Sequence, residues 1–327
     1  MASSLPSEIA VLREGGPTAW VVASHMNPDC DTLGSAIAMK RLLRAFGHRV
    51  IHVCPDPVPD AYRFLPGTDE VVTELPADLP SDAGLVTLDA ADMGRFGSLR
   101  ARLEAFGLIV DVDHHVSNPR FGHVNVVLED AAATGEVVYR LYGHFGVPID
   151  SEAAIGMYVA LVTDTGSFAY EATNATSHEM AASLIRAGVQ PGAISRALFE
   201  QVPLAELKIK AMGLASATIT SGGRVAYTTI TRAMLDEAGA KEEHTEGLAE
   251  RLRAVKGVEV SFFLRETASG DLKASMRSKE TVDVSRLAAK FGGGGHRRAA
   301  GCTLALPMDR AVQTLLEAID LELKARR

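Results

Sequence analysis

Two clusters of acidic and histidine side chains follow apolar segments of this chain at the point where each segment ends. They are His25, Asp29 and Asp31 after residues 19–23, and Asp113, His114 and His115 after residues 108–110. Short apolar runs of this kind predict buried strands of a parallel sheet. Because open α/β sheets bind their ligands at the carboxyl ends of the strands, we expect the two clusters to meet at one edge of such a sheet.

Four aspartates are expected to converge on that edge, and their charges favour metal binding. They are Asp29, Asp31, Asp89 and Asp164. Four carboxylates a few Å apart repel one another unless protons or cations neutralise them, and two divalent cations would cancel their charge. Oxygen ligands with a few imidazoles favour manganese or magnesium, with iron, cobalt and zinc as alternatives. A thiolate-rich zinc site is excluded, because the three cysteines are scattered and form no Cys-x-x-Cys pair.

The size and composition of the chain predict two domains and no membrane span. Its 327 residues are enough for roughly two domains of typical size. Its apolar runs fall far short of the roughly 20 residues that a membrane span needs, and the N-terminus lacks an apolar signal core. With few cysteines besides, the expected location is the cytoplasm. The net charge of −8 disfavours a protein that coats nucleic acid, although a short phosphorylated substrate needs only local positive charge.

Short strands alternate with helices from residue 18 to about residue 150, which predicts a doubly wound parallel sheet. The predicted strands are 19–24, 49–54, 84–88, 108–112 and 124–127. A helix is predicted over 32–46, where Gly47 would end it in a left-handed conformation. Further helices are predicted over 152–161 and 177–187.

The C-terminal part of the chain predicts a smaller α/β domain. Its predicted strands are 225–230, 258–265 and 271–276, and its predicted helices are 245–255, 285–290 and 308–324. We therefore expect a first domain over residues 1–195, a helical connector over 196–217 and a second domain over 218–327. The active site would lie in the cleft between the two domains.

The acidic candidates also have ordinary structural interpretations. Asp31 alone would suit a helix N-cap, and Asp89 alone would suit a turn at the end of a strand. Asp164 ends an apolar helix at a glycine-containing turn, which is a weak signal by itself. The metal interpretation is favoured because the four acids together complete the set that two metals need, and because two adjacent histidines are hard to explain by packing.

Four consecutive glycines, residues 292–295, precede His296 and two arginines. One interpretation is a flexible loop. The other is a phosphate-binding nest ahead of a helix-like Ala299-Ala300 pair, because glycine lets backbone N–H groups approach an anion closely. The basic segment 277–279 would add a further positive element.

Taken in order, these motifs resemble the four motifs of the DHH phosphoesterases. They are residues 24–31, Leu88-Asp89, Asp113-His114-His115 and residues 163–166. Residues 277–279, 282–285 and 291–301 resemble the DHH-associated substrate domain, so the resemblance covers nearly the whole chain. It is closest to the type that degrades very short oligoribonucleotides and dephosphorylates pAp. The chain is too short for the additional domains of RecJ exonucleases, and its glycine run argues against a family II pyrophosphatase.

The resemblance implies a role for each candidate residue. Two Mn²⁺ ions would be bound, with Mg²⁺ or Co²⁺ as substitutes. Their ligands would be His25, Asp29 and Asp89 for one ion, and Asp31, Asp89, His114 and Asp164 for the other. The catalytic group would be His115, Asp89 and Asp113, with His115 near the scissile phosphate. Substrate contacts besides His115 would come from Arg277, Ser278, Gly294, Gly295 and His296.

The implied activity is that of a manganese-dependent phosphodiesterase and phosphatase, which converts very short RNA to mononucleotides and pAp to AMP. Short single-stranded RNA or DNA oligonucleotides and pAp are then the expected partners, and a homodimer stays open. A phosphodiesterase acting on cyclic di-AMP or linear pApA is an alternative, because these substrates also present a phosphate to the metals. A non-catalytic nucleotide sensor is a further alternative, which the intact ligands at every metal position disfavour.

Overall fold

A parallel sheet of five strands forms the centre of the first of two units into which the chain divides, up to Gln201. The structure is a computed structural model, and it describes residues 5–324. The strands, in chain order, are β1 (Ala19–Ala23), β2 (Arg49–Val53), β3 (Gly84–Leu88), β4 (Ile109–Asp113) and β5 (Val124–Val127). They lie in the order β2-β1-β3-β4-β5 and pair in parallel throughout, which confirms the predicted sheet.

Both faces of this sheet are covered, as a doubly wound fold requires. Trp20 and Val22 of β1 belong to one apolar core, while Val21 and Ala23 belong to a second core on the opposite face. Alternate residues of a strand enter different cores, so the strand is apolar along its whole length. The helices of this unit are α1 (Cys30–Ala45), α2 (Arg100–Leu103), α3 (Thr134–Phe145), α4 (Ser151–Asp164), α5 (Ala175–Arg186) and α6 (Pro191–Phe199).

Helices α1 and α4 pack against each other at a pair of glycines. A Cβ atom on Gly34 of α1 would overlap the carbonyl oxygen of Gly156 in α4, and a Cβ atom on Gly156 would overlap that of Gly34. Neither glycine has a positive φ. Packing, rather than backbone conformation, therefore requires both glycines, and it holds the two helix backbones in direct contact.

A mixed sheet of six strands forms the second unit, which begins at Val202. Its strands are β6 (Thr218–Thr220), β7 (Val225–Ile230), β8 (Val260–Glu266), β9 (Leu272–Ser278), β10 (Gly294–His296) and β11 (Ala299–Leu304). Their order is β10-β11-β9-β8-β7-β6, in which only the β7–β8 pair is parallel. The helices are α7 (Leu204–Ala215), α8 (Arg232–Ala238), α9 (Leu248–Arg253), α10 (Val284–Ala289) and α11 (Met308–Lys324). A smaller α/β unit was expected here, and this expectation is confirmed.

The glycine run and the residues after it form a hairpin of strands, so the interpretation of Ala299-Ala300 as helix-like is wrong. Gly294–His296 pairs antiparallel with Ala299–Leu304, and β11 pairs in turn with β9. Gly295 has a φ of 138°, and a Cβ atom there would lie 2.5 Å from the carbonyl oxygen of Ala299. Two alanines carry no periodicity, so pairing with β9 decides their structure.

The predicted connector, residues 196–217, contains the end of α6 and all of α7. The division between the units falls between these two helices, and α7 packs against α8 and α9 of the second unit. The boundaries 1–195 and 218–327 stay predictions, as does a site in a cleft. Within residues 5–324, no helix is long and apolar enough to cross a membrane.

Candidate metal centre

Asp89 lies between two groups of possible metal ligands and turns one carboxylate oxygen toward each. Its Oδ2 atom is 3.6 Å from Nε2 of His25, and that same nitrogen is 3.8 Å from Oδ2 of Asp29. Its Oδ1 atom is 3.6 Å from Nε2 of His114. A carboxylate in this position can bind two cations at once.

The second group is completed by two aspartates from helix ends. His114 Nε2 lies 3.8 Å from Oδ2 of Asp31, in the first turn of α1, and 3.4 Å from Oδ2 of Asp164, the last residue of α4. Ligand atoms of Asp31, His114 and Asp164 all lie within 4.8 Å of one another, as do those of His25, Asp29 and Asp89. The six residues predicted as metal ligands are thus brought together in two adjoining groups.

The two histidines of these groups are oriented in the way that metal-binding histidines commonly are. Nδ1 of His25 lies 2.9 Å from the carbonyl oxygen of Met26, and Nδ1 of His114 lies 3.3 Å from that of Ala131. With Nδ1 donating to a carbonyl, Nε2 carries the lone pair and faces the carboxylates. Burial also lowers the pKa of His25, which keeps this imidazole neutral and able to bind a cation.

Asp31 is held by the first turn of α3, far away in the sequence. Its Oδ2 accepts a hydrogen bond from the backbone N–H of Thr134 at 2.7 Å, and its Oδ1 accepts one from Gly135 at 2.9 Å. The Thr134 hydroxyl donates to Oδ1 of Asp89 at 2.8 Å. One helix N-terminus, whose dipole favours negative charge, therefore positions ligands of both groups.

Asp29, not Asp31, is the N-cap of α1. Its Oδ1 accepts hydrogen bonds from the backbone N–H groups of Asp31 and Thr32 at 3.1 and 3.0 Å, while its Oδ2 faces His25. The capping role considered for Asp31 is therefore wrong. A single carboxylate can serve as a cap through one oxygen and as a ligand through the other.

Asp89 is also conformationally unusual. It follows β3 directly and has a φ of 58°, in the left-handed region that non-glycine residues adopt infrequently. Aspartate is among the residues that tolerate this region best, and strained backbone of this kind clusters at functional sites. The turn directs the carboxylate into the space between His25 and His114.

His115 belongs to a hydrogen-bonded chain that ends in the protein interior. Its Nδ1 lies 2.7 Å from Oδ1 of the fully buried Asp113, whose Oδ2 accepts from Nδ2 of Asn118, also at 2.7 Å. Burial acts against a charged imidazole, but the hydrogen bond and charge of Asp113 outweigh it and raise the pKa of His115. The same bonds hold the pKa of Asp113 low despite its burial. His115 Nδ1 is also 3.7 Å from Oδ1 of Asp89, so the ring borders both ligand groups.

Burial and mutual repulsion oppose the ionisation of all the clustered carboxylates when no cation is bound. Burial, followed by the charges of Asp31 and Asp29, raises the pKa of Asp89 well above its usual range and that of Asp164 to about 8. Burial likewise raises the pKa of Asp31. Carboxylates whose pKa is raised in this way release their protons when divalent cations bind, because the cations supply the neutralising charge instead. The donor set therefore fits hard or intermediate metal ions, which prefer oxygen and imidazole ligands.

Three residues of the site were missed in the sequence: Arg95, Asn118 and Thr134. Nη2 of Arg95 lies 3.1 Å from Nδ1 and 3.4 Å from Nε2 of His25. Asn118 and Thr134 act through hydrogen bonds to Asp113 and Asp89. None of the three carries a local signal, because each reaches the site through a turn or a helix start whose position only the folded sheet defines.

The residues predicted to bind substrate in the second unit lie around the end of β9 and in β10. The Arg277 side chain donates from Nε to Oε1 of Glu250 at 2.7 Å. The Ser278 hydroxyl is fully buried and donates to the carbonyl oxygen of Val282 at 2.7 Å. A Cβ atom on Gly294 would meet no atom within 4 Å, so packing does not require glycine there. The side chain of His296 lies outside the described part of the structure. The contacts of these five residues with a nucleotide stay predictions.

Two known domain families match the chain. The N-terminal domain of the DHH family matches residues 20–161, and the DHHA1 domain matches residues 222–325. The chain is 35% identical over 303 residues to the bifunctional oligoribonuclease and PAP phosphatase NrnA of Thermus thermophilus. The alignment covers 92% of this chain and 89% of that protein. The Bacillus subtilis protein of the same name is 25% identical over 288 residues, with 87% and 88% covered.

Among solved structures, an exopolyphosphatase-related protein from Bacteroides fragilis has the same fold. The superposition of the two structures has a TM-score of 0.90 and covers 98% of each chain, and the sequences are 24% identical. The similarity in fold, the two matching domains and the identity to the Thermus protein agree with the resemblance seen in the sequence motifs. The chain belongs to the DHH family of phosphoesterases, which are hydrolytic enzymes, and carries a DHHA1 domain in its second unit.

Proposed function

We propose that this chain is a manganese-dependent phosphoesterase that hydrolyses very short oligoribonucleotides to mononucleotides and converts pAp to AMP. The observation that carries the proposal is the position of Asp89, with one oxygen facing His25 and the other facing His114. A carboxylate shared in this way supports a pair of adjacent cations, which is an arrangement suited to phosphoester hydrolysis. The similarity to proteins named oligoribonuclease and PAP phosphatase supports the substrate class.

Two Mn²⁺ ions would be held, with Mg²⁺ or Co²⁺ as substitutes. The proposed ligands are His25, Asp29 and Asp89 for one ion, and Asp31, Asp89, His114 and Asp164 for the other. Divalent cations bound here would supply a lowered pKa for water and would offset the charge of phosphoryl oxygens. The raised pKa values of Asp89 and Asp164 in the metal-free protein support this assignment, since both side chains gain from a positive partner.

His115 would bind a phosphoryl oxygen or donate a proton to the leaving oxygen. Its contact with Asp113 fixes the ring and favours its charged form, which is the form that donates. Asp113 would act through His115, because its carboxylate is fully buried. Asn118 would keep Asp113 in place by donating to the oxygen that His115 does not use.

In the second unit, Arg277, Ser278, Gly294, Gly295 and His296 would bind the nucleotide part of the substrate. Arg277 is partly exposed, so its guanidinium could contact a phosphate while Glu250 holds its Nε. Ser278 would contribute mainly by holding the backbone at the end of β9 in position, since its hydroxyl already donates to the carbonyl oxygen of Val282.

The decisive experiment compares pAp, a two-residue RNA, cyclic di-AMP and linear pApA as substrates, each with Mn²⁺ present. We expect pAp and the two-residue RNA to be hydrolysed efficiently, and Asp89→Asn to abolish both activities. Asp92→Asn is a matched control, because Asp92 caps a neighbouring turn and belongs to neither ligand group. Preferential hydrolysis of cyclic di-AMP would replace this proposal with a cyclic-dinucleotide phosphodiesterase. Absence of turnover on all four substrates would contradict the proposed substrate class.

A further inference from the structure

The Arg95 side chain lies against the imidazole of His25, and the ring nitrogens of this histidine are the side-chain atoms nearest to its guanidinium among the described hydrogen bonds. Nη2 is nearly equidistant from the two ring nitrogens, at 3.1 and 3.4 Å, so it cannot lie along the lone-pair direction of both. Nδ1 of His25 is already directed at the carbonyl oxygen of Met26, and Nε2 faces Asp29 and Asp89. Once a cation takes the lone pair of Nε2, the imidazole therefore offers this guanidinium no acceptor.

Arg95 also forms no ion pair with any carboxylate among residues 5–324. Arg100 in the same segment differs in this respect, since it pairs with Glu104 at 2.8 Å. An arginine beside a ligand of a cation site is electrostatically unfavourable unless an anion joins it.

A purely structural role for the side chain is not supported by its contacts. The turn that carries Arg95 is tied to the metal-ligand loop by a backbone bond, in which Met26 N–H donates to the Arg95 carbonyl oxygen at 2.8 Å. That bond does not depend on the guanidinium. The side chain is half-buried, so part of it reaches solvent at the edge of the metal centre.

We propose that Arg95 is a substrate-binding residue of the first unit. Its guanidinium would donate hydrogen bonds to two oxygens of the phosphate group that enters the metal centre. A guanidinium presents parallel N–H donors that match two phosphate oxygens, and this pairing is stronger than a contact from a neutral donor. The proposal depends on the proposed function only for the identity of the nucleotide. The predicted affinity of Arg95 for phosphate does not depend on it. Arg95 would supply positive charge on the His25 side of the metal centre.

The test measures binding of inorganic phosphate and of AMP to the Mn²⁺-loaded protein by calorimetry, with metal content determined separately by elemental analysis. Arg95→Ala should weaken phosphate binding roughly 10- to 100-fold, as expected for a lost charge-assisted hydrogen bond, and should leave bound metal unchanged. Arg95→Lys should restore part of the affinity, because it keeps the charge but loses the paired donors. Arg100→Ala is the matched control and should bind phosphate like the parent protein.

Unchanged phosphate affinity in Arg95→Ala would overturn the proposal. Loss of bound Mn²⁺ in both Arg95→Ala and Arg95→Gln would also overturn it, because the side chain would then act by positioning His25. Thermal unfolding of each variant identifies any that fail to fold, and Arg95→Gln, which keeps much of the side-chain volume, then replaces Arg95→Ala. Failure of the proposed function has a different signature, namely no turnover of pAp or short RNA by the parent protein, with phosphate binding still dependent on Arg95.

Discussion

Gly34 and Gly156 touch backbone to backbone, and this contact sets the distance between the helices that carry Asp31 and Asp164. Asp31 lies one turn before Gly34 in α1, and Asp164 ends α4 two turns after Gly156. Both acids approach His114 only because the two helices are this close. The geometry of the second ligand group thus depends on a packing contact between two residues that are not ligands themselves.

Gly156→Ala is expected to destabilise the protein, because the added methyl group would overlap the Gly34 carbonyl oxygen and the α1–α4 contact must open. Overpacking of this kind costs about 1–3 kcal/mol of unfolding free energy, which urea denaturation measures. Gly143→Ala in α3 is the control, since a Cβ atom there meets nothing within 4 Å. Alanine at that exposed helical position should stabilise by up to about 1 kcal/mol. Equal stability of the two variants would contradict the packing argument.

Asp89→Ala should remove both metal ions, whereas His114→Ala should weaken only one. The reason is that Asp89 alone among the described ligands faces both groups, while His114 contacts Asp31, Asp89 and Asp164 on one side. Elemental analysis after dialysis against Mn²⁺ measures the stoichiometry, and phosphoester hydrolysis should fall below detection in Asp89→Ala. Full metal content in Asp89→Ala would show that the ligand assignment is wrong.

The metal-free protein is expected to lose stability as the pH rises from about 4 to about 8. The pKa of Asp164 is raised to about 8 in the folded chain and that of Asp89 is raised well above its usual range, so the folded state binds more protons than the unfolded state in this window. Unfolding free energy must therefore fall with rising pH. Asp164→Asn should flatten this dependence, which thermal unfolding in EDTA at a series of pH values measures.

The same protons predict the pH dependence of metal binding. Because Mn²⁺ must displace protons from Asp89 and Asp164, the apparent affinity should rise with pH up to about 8. Calorimetry in buffers of different ionisation enthalpy would detect the protons released. Binding without proton release near pH 7 would mean that these carboxylates are already ionised.

Asp113→Asn should lower the pKa of His115, since the charge and hydrogen bond that raise it would be weakened. If the charged imidazole is the active form, activity falls as the pH rises through that pKa, and in the variant the fall should occur at lower pH. An NMR titration of the His115 ring protons follows the pKa directly. Asn118→Ala should change this pKa less, because the Asp113 carboxylate keeps both its charge and its bond to His115. An unchanged His115 titration in both variants would contradict the proposed chain.

Much of the first unit could be predicted because its strands are buried on both faces. Segments such as Gly84–Leu88 are then mostly apolar, and the acid that follows marks the sheet edge. The second unit was harder where pairing outweighs composition, as in β11, whose two leading alanines favour a helix by propensity alone. Thr134 could not be found, because 103 residues separate it from Asp31 and only the folded α3 brings its N–H to that carboxylate.

The first turn of α3 is the kind of helix start at which α/β proteins often receive a phosphate, yet here the chain fills it with its own Asp31 carboxylate. The main-chain amides that could have cradled a substrate are permanently committed to a ligand. Under the proposed function, recognition of the incoming anion in this unit would rest on side chains and bound cations, whose affinity can be altered by single substitutions. A chain built in this way can change what it accepts without remodelling its backbone, whereas an exchange of Asp31 for a neutral residue would open an anion hole that sulfate could occupy.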